Sequence, residues 1–202
     1  MPDDTVASAS VDKTIRIWNP NNGDLIRELV GHTESVLCLT LLNDELYVAS
    51  GSADKTIIIW NTSENKIIRK LISHSAEVYS LCVIENGTKL ASGSYKEIKI
   101  WNVFSGQLLN TLTGYFYHVY SLVQLENGCL VSSGGFSINI WNLNNVIKSS
   151  IILDEQKNTI LSLAILSDDR LASGSSDSIV RIWNINTCAL IKALKGHGQG
   201  VW

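Results

Sequence analysis

His32, Ser50 and Asp54 are the residue types of a nucleophilic triad: a hydroxyl, an imidazole to take its proton and a carboxylate to orient the imidazole. A triad serves one oxyanion site and one substrate pocket. Here the same types return along the chain, as His74 and Ser92, as Ser173 and Asp177, and as Ser8 and Asp12 near the start. A nucleophile gains nothing from copies of itself, so the sequence predicts no catalytic residue and no enzyme.

Other chemistries fall away on spacing. His32, His74 and His197 are separated by 42 residues or more, which assembles no compact metal site, and no cofactor is expected. Gly93, Gly134 and Gly135 belong to repeated turns, and no G-x-x-x-x-G-K-[ST] loop occurs. Cys38, Cys82, Cys129 and Cys188 form no C-x-x-C pair and read as free thiols in a reducing compartment. Sixteen basic against nineteen acidic residues give a formal charge of −3. Nucleic acid is therefore not an expected partner, since duplex binding needs clustered cations to release counterions. The densest basic cluster, Lys66, Arg69 and Lys70, suits a solvated outer strand that discourages edge pairing. MPDDTVASAS is acidic and polar, unlike a secretory leader, and the apolar runs are strand-length, far below the ~20 residues of a spanning helix. No membrane association is expected. The 45% hydrophobic content, with 17% charged residues, excludes a disordered chain.

The elements that position these residues are repeats. Trp18, Trp60, Trp101, Trp141 and Trp183 are separated by 42, 41, 40 and 42 residues, and each is followed by asparagine (Asn19, Asn61, Asn102, Asn142, Asn184). An aromatic in the same local context at so steady a period marks a repeated supersecondary unit. The units run over about 1–30 (partial), 31–72, 73–113, 114–153, 154–195 and 196–202 (partial), within one domain. The second unit predicts strands at Val36–Leu42, Leu46–Ser50, Thr56–Asn61 and Lys66–Leu71, with turns at Asn43-Asp44, Ser52-Ala53-Asp54 and Ser63-Glu64-Asn65. Ile15 and Ile17 alternate with Thr14, Arg16 and Trp18, and Ile98/Ile100 and Ile138/Ile140 repeat the pattern, a period of two rather than 3.6. Four antiparallel strands per unit describe a propeller blade. An isolated blade cannot bury both faces, and stacking blades around an axis solves that. The fold class is all-β, a propeller of about five four-stranded blades.

Gly-His, Ala-Ser-Gly-Ser-x-Asp and Ile-x-Ile-Trp at fixed offsets resemble the WD-repeat β-propeller family over essentially the whole chain. Kelch repeats fit worse, having a longer period. One departure is uniform: Trp-Asn stands for the usual Trp-Asp, which removes charge and keeps size and hydrogen-bonding capacity. The resemblance implies a structural chain from Trp to Ser to His to Asp, which gives a buried indole and imidazole their partners. The set is complete as His32, Ser50, Asp54 and Trp60. The third unit keeps His74, Ser92 and Trp101, with Lys96 in a shortened turn where Asp is expected. The fourth keeps Ser132 and Trp141, with Tyr115 at the His position and Phe136 in its shortened turn. The fifth has Ser173, Asp177 and Trp183, with Gln156 at the His position.

The first unit lacks its entering loop and first strand, and GHGQGVW at the other end aligns with the missing part. His197 is thus expected to join Ser8, Asp12 and Trp18. Two arrangements follow: a five-bladed ring closed by the C-terminal strand, or an open arc excerpted from a longer ring. The second is preferred, because the final strand has only Val201 and Trp202. An open arc exposes two apolar blade faces and invites self-association.

Propellers of the resembled family are mostly interaction platforms. Tyr95, Tyr115, Phe116, Tyr117, His118 and Phe136 fall on same-side loops of the third and fourth units, where other units carry small or polar residues such as Ala53, Ser176, Thr33, Glu34 and Lys157. Two readings stand: an interface core for a partner, or Tyr115 and Phe136 filling the space of the absent His and Asp, the simpler account. Tyr79 and Tyr120, aligned with Leu37 and Leu161, read as packing residues. The expected function is a non-catalytic scaffold for other proteins or peptides in the cytoplasm or nucleus. The alternatives are a phosphopeptide or ubiquitin-recognition receptor, and the regulatory repeats of a longer signalling enzyme.

Overall fold

The computed structural model describes residues 5–42, 47–143, 147–152 and 158–202. The predicted turn at Asn43-Asp44, the strand start at Leu46, and Gln156 and Lys157 lie outside them, as do the side chains of Tyr115 and Phe116. Eighteen strands and one 3-10 turn at Glu85–Gly87 make up the regular structure among the described residues, and no helix there is long and apolar enough to cross a membrane.

The first blade has three strands, β1 (Val6–Ala9), β2 (Thr14–Trp18) and β3 (Leu25–Val30), in that order. The second has four: β4 (Val36–Leu41), β5 (Tyr47–Ser52), β6 (Thr56–Asn61) and β7 (Lys66–Ile72). Each is an antiparallel meander, with Val48 facing Trp60 and Ile57 facing Leu71 across the pairs. The Asn after each Trp explains where the third strand stops. Asn61 Oδ1 accepts the Ser63 and Glu64 N–H groups at 3.0 and 2.9 Å, and Asn19, Asn102 and Asn184 close their turns in the same way.

Blades three and four are fused. β8 (Ser80–Ile84), β9 (Lys89–Gly93) and β10 (Tyr95–Asn102) lead into β11 (Leu108–Gln124), a single 17-residue strand, which continues to β12 (Leu130–Gly134), β13 (Ser137–Asn142) and β14 (Ile147–Ile152). The expected unit boundary at 113/114 falls inside β11. Where the loop between β3 and β4 carries His32, this segment stays extended: Glu97 faces Thr113, and Tyr95 faces His118 across a register shift. Gly114 accommodates the bend with φ of 109°. The fifth blade is β15 (Ile160–Leu166), β16 (Arg170–Ser175), β17 (Ile179–Asn184) and β18 (Leu190–Lys195).

Neighbouring blades are stitched by one recurrent hydrogen bond. The N–H groups of Val36, Val78, Val119, Ile160 and Val201 donate to the carbonyls of Ser10, Ser52, Ser94, Gly135 and Ser175 at 2.9–3.0 Å. The core then forms between faces, not within blades. Ile15, Ile17 and Leu29 of the first blade bury against Val36, Ile58 and Trp60 of the second, and three further clusters repeat the arrangement.

Among the described residues, no strand of the first blade pairs with the last. Val6, facing Trp18, is 50% exposed where Val48, facing Trp60, is 1%. Leu194, facing Val180, is 42% exposed where Leu71 is 5%. The described blades form an open arc. The expectation for His197 is corrected accordingly: it is exposed and makes no bond to Ser8, Asp12 or Trp18, because Val201 docks on the fifth blade and nothing carries the segment across to the first.

Candidate functional site

The Ser–His–carboxylate sets lie inside blades. In the second, Trp60 Nε1 donates to Ser50 Oγ at 2.8 Å, Ser50 Oγ lies 2.7 Å from His32 Nε2, and His32 Nδ1 lies 2.8 Å from Asp54 Oδ2. Burial pushes the His32 pKa down, beyond what the Asp54 hydrogen bond and charge restore. The neutral ring therefore donates from Nδ1 to the carboxylate and accepts the Ser50 hydroxyl proton at Nε2. Burial pushes Asp54 up, but hydrogen bonds from Thr56 Oγ1, the Thr33 N–H and His32 outweigh it and hold the carboxyl well below its usual range. Ser50 is fully buried and already committed in both roles. The set ties the entering loop to the turn between β5 and β6, and offers no nucleophile to solvent.

The indole-to-serine bond recurs in every blade at 2.8–2.9 Å: Trp18 to Ser8, Trp101 to Ser92, Trp141 to Ser132 and Trp183 to Ser173. The far end of the chain varies. In blade three, His74 lies 2.6 Å from Ser92 Oγ, and its Nδ1 lies 2.9 Å from Glu97 Oε1. Lys96 does not stand in the Asp place. With φ of 65° it matches the left-handed Lys13 and Lys55, and Glu97 on the next residue reaches back with its longer side chain. Sequence reasoning missed Glu97, and the signal was available: a shortened turn followed by an acid. Its other oxygen lies 3.1 Å from Lys99 Nζ. In blade five Arg181 pairs with Asp177 through both nitrogens at 3.2 and 2.7 Å, and in blade one Arg16 lies 3.2 Å from Asp12. Arg16, Lys99 and Arg181 all stand two residues before their Trp, where blade two, with its complete set, has Ile58.

The aromatic loop residues separate into two groups along β11. Tyr117 packs on Phe136, ring centres 5.3 Å apart, and a Cβ at Gly135 would overlap the Tyr117 ring. His118, on the opposite side of the strand, meets Tyr95 at 5.0 Å and Tyr79 at 4.9 Å. Tyr79 meets Tyr120 at 5.3 Å, and Tyr120 meets Trp202 edge-on at 6.2 Å. Tyr79 and Tyr120 are thus members of an aromatic cluster. Lys96 Nζ sits 4.8 Å from the Tyr95 ring centre. Tyr95, Tyr117 and Phe136 are exposed, at 39%, 48% and 39%. Among the described residues, no group of three or more His, Cys, Asp or Glu could hold a metal ion.

Antiparallel blades stacked face to face, each carrying one Trp bonded to a Ser of the strand beside it, define the class as a β-propeller of Trp-bearing repeats. The family model "WD domain, G-beta repeat" matches residues 2–19, 23–61, 65–102 and 148–184, and the chain belongs to this family. It is similar to F-box/WD repeat-containing protein sel-10 of Caenorhabditis elegans, with 32% identity over 62 residues, 31% of this chain and 10% of that protein. The structure of U3-55K superposes with a TM-score of 0.88 at 23% identity, covering 98% of this chain and 65% of that one, a likeness of fold. The chain thus spans less than two thirds of either protein.

Proposed function

We propose that the chain is a non-catalytic platform that binds other proteins or peptides through the loop face of its third and fourth blades. WD repeats support a protein-interaction role in general. The observation that carries the specific reading is the exposed, stacked pair Tyr117 and Phe136, on loops where blade two carries the smaller Ala53 and Thr33. Large aromatics are enriched at interface cores because they bury much area at little entropic cost. Selecting partners from a displayed peptide library, then comparing the chain with its Tyr117→Ala and Phe136→Ala variants, tests it. Every selected partner is expected to weaken with at least one variant; partners that bind both variants unchanged retire the loop patch.

The 62-residue likeness to an F-box/WD repeat protein supports a second reading, substrate recognition within a larger assembly. Four free thiols support a cytoplasmic or nuclear location. The unpaired faces at Val6 and Leu194 support self-association, which Leu194→Glu should suppress in sedimentation.

A further inference from the structure

Phe104 departs from the repeat. It stands three residues after its Trp, at a position where the other units carry Asn21, Ser63, Asn144 and Asn186. The ring is 69% exposed, and the turn that presents it is closed. The Ser105 N–H donates to Asn102 Oδ1 at 2.8 Å, and the Val103 N–H donates to the Thr88 carbonyl at 3.1 Å. Phe104 lines a groove of about 410 Å³ between blades two and three, together with Leu42, Tyr47, Ile68 and Val103. Since β10 runs from Tyr95 to Asn102, this groove lies at the end of the blades opposite the aromatic loop patch.

Arg69 lines the same groove. Its stem is held against the Phe104 turn, for a Cβ on Gly106 would lie 3.2 Å from Arg69 Cδ. The guanidinium has no carboxylate partner among the described residues. The acids of the adjoining turns are already engaged, Glu64 by Lys66 at 2.9 Å and Glu85 by Lys89 at 2.6 Å. The combination is confined to this junction. In register, Arg69 corresponds to Arg27, Asn110 and Ser149, and the residues on the next blade's turn are then Ser63, Asn144 and Asn186. Only between blades two and three does a guanidinium meet an aromatic ring across those two positions. We propose that this groove docks a linear segment of a partner protein carrying a large aliphatic side chain next to a glutamate or aspartate. The aliphatic group enters beside Phe104, Ile68 and Tyr47, and the carboxylate pairs with Arg69, the complement that an unpaired guanidinium at the edge of apolar surface selects. Phe104 and Ile68 are both exposed, so the groove is open along its rim and suits an extended chain passing over it. The surface is separate from the loop patch, and the two readings stand or fall independently.

The probe is the peptide acetyl-Gly-Leu-Glu-Leu-Gly-amide, titrated against the isotope-labelled 202-residue chain while the N–H signals of Gly87, Val103 and Gly106 are followed by NMR. Its glutamine counterpart keeps the shape without the charge, and its lysine counterpart reverses the charge. The glutamate peptide is expected to shift the three signals and to bind about three- to fivefold tighter than the glutamine peptide. Arg69→Gln should erase that preference and leave the glutamine peptide's affinity unchanged, a coupling that a purely structural role for Arg69 would not produce. Phe104→Asn, which places there the residue that other units use, should weaken both peptides at least about fivefold. Equal binding of the glutamate and glutamine peptides overturns the proposal, as does a glutamate preference that survives Arg69→Gln. Preference for the lysine peptide, or unchanged affinity in Phe104→Asn, overturns it too. Shifts confined to Tyr117 and Phe136, with the groove signals silent, would overturn it while leaving the loop-face reading intact.

Discussion

Glu97 aligns with Thr56 of blade two, two residues beyond the position of Asp54, yet its Oε1 lies as close to His74 Nδ1, at 2.9 Å, as Asp54 Oδ2 does to His32 at 2.8 Å. The extra methylene of glutamate covers the distance that the shortened turn creates. The same carboxylate holds Lys99, whose side chain is almost wholly buried. Removing it strands a buried ammonium and a buried imidazole nitrogen together. Glu97→Ala should therefore cost about 3 kcal/mol in urea unfolding, whereas Glu64→Ala, which frees only the exposed Lys66, should cost under about 1 kcal/mol. Equal losses would show that the Glu97 network is solvated.

The period of the tryptophans made the blades legible, because one supersecondary unit repeated in sequence has one solution in space. The Trp-to-Ser bond was legible for the same reason. Glu97 and Arg181 were not, because substitutions that compensate one another sit at different alignment positions, and column-by-column reading sees only the losses. Fusion of the third and fourth blades was hidden too. Gly114–His118 reads as a variant loop until Tyr95 is found paired with His118. Tyr79 and Tyr120 read as packing residues because Leu stands at their aligned positions. Their ring contacts with His118, which lies on neither of those positions, were not legible there.

Trp60 and Trp18 make the same bond to serine, but only Trp60 has a blade on both sides. Trp60 is buried to 2% exposure between Ile15, Ile17 and Leu29, while Trp18 faces the open end and is half-buried. Trp60→Ala should cost about 3–5 kcal/mol, as a large-to-small change in a packed core does, and Trp18→Ala distinctly less. Thermal melts of the two variants check the ordering, and an unchanged midpoint for Trp60→Ala would contradict its buried role.

Acid should weaken the molecule in two stages. Burial holds His32 and His74 below the usual 6.5, despite Asp54 and Glu97 beside them. As pH falls through about 6.5 the unfolded chain takes up protons that the folded chain resists, so unfolding is favoured and stability declines. Asp54 acts in the same sense lower down: its folded carboxyl stays ionised below the usual 3.8, so its contribution disappears as pH falls beneath that value. Urea midpoints between pH 8 and 4 should show the upper stage, and a His32→Gln, His74→Gln double variant should lack it. A double variant with an unaltered pH profile would assign the upper stage elsewhere.

The four thiols should report on burial. Desolvation pushes Cys38 up to about 12 and Cys82 up to about 11, so neither offers thiolate near neutrality, while Cys188 is exposed on the turn before β18. Since only the thiolate is alkylated, iodoacetamide at pH 8 should modify Cys188 first, with Cys38 reacting only when the chain opens. Peptide mapping over time checks the order. Early labelling of Cys38 would mean that the stitch between blades two and three opens in the native state.

At Ser133 the repeat carries a defect that substitution should improve. The residue is equivalent to Gly51, Gly93 and Gly174, all second-strand residues pressed against the next blade; at Gly51 a Cβ would lie 2.6 Å from both Cys38 Sγ and Val78 Cγ1. Blade one has Ala9 there, and blade four alone carries a hydroxyl. That oxygen is buried and has no hydrogen-bond partner. A buried unsatisfied hydroxyl loses its water without replacement, at a cost of about 1–3 kcal/mol. The Cβ is already accommodated, so Ser133→Ala removes the penalty without adding volume and should raise stability by about 1 kcal/mol. Gly51→Ala, the same side chain in a crowded site, should lower it. If Ser133→Ala destabilises instead, the hydroxyl has a partner, and the junction of blades four and five is held more tightly than its packing alone requires.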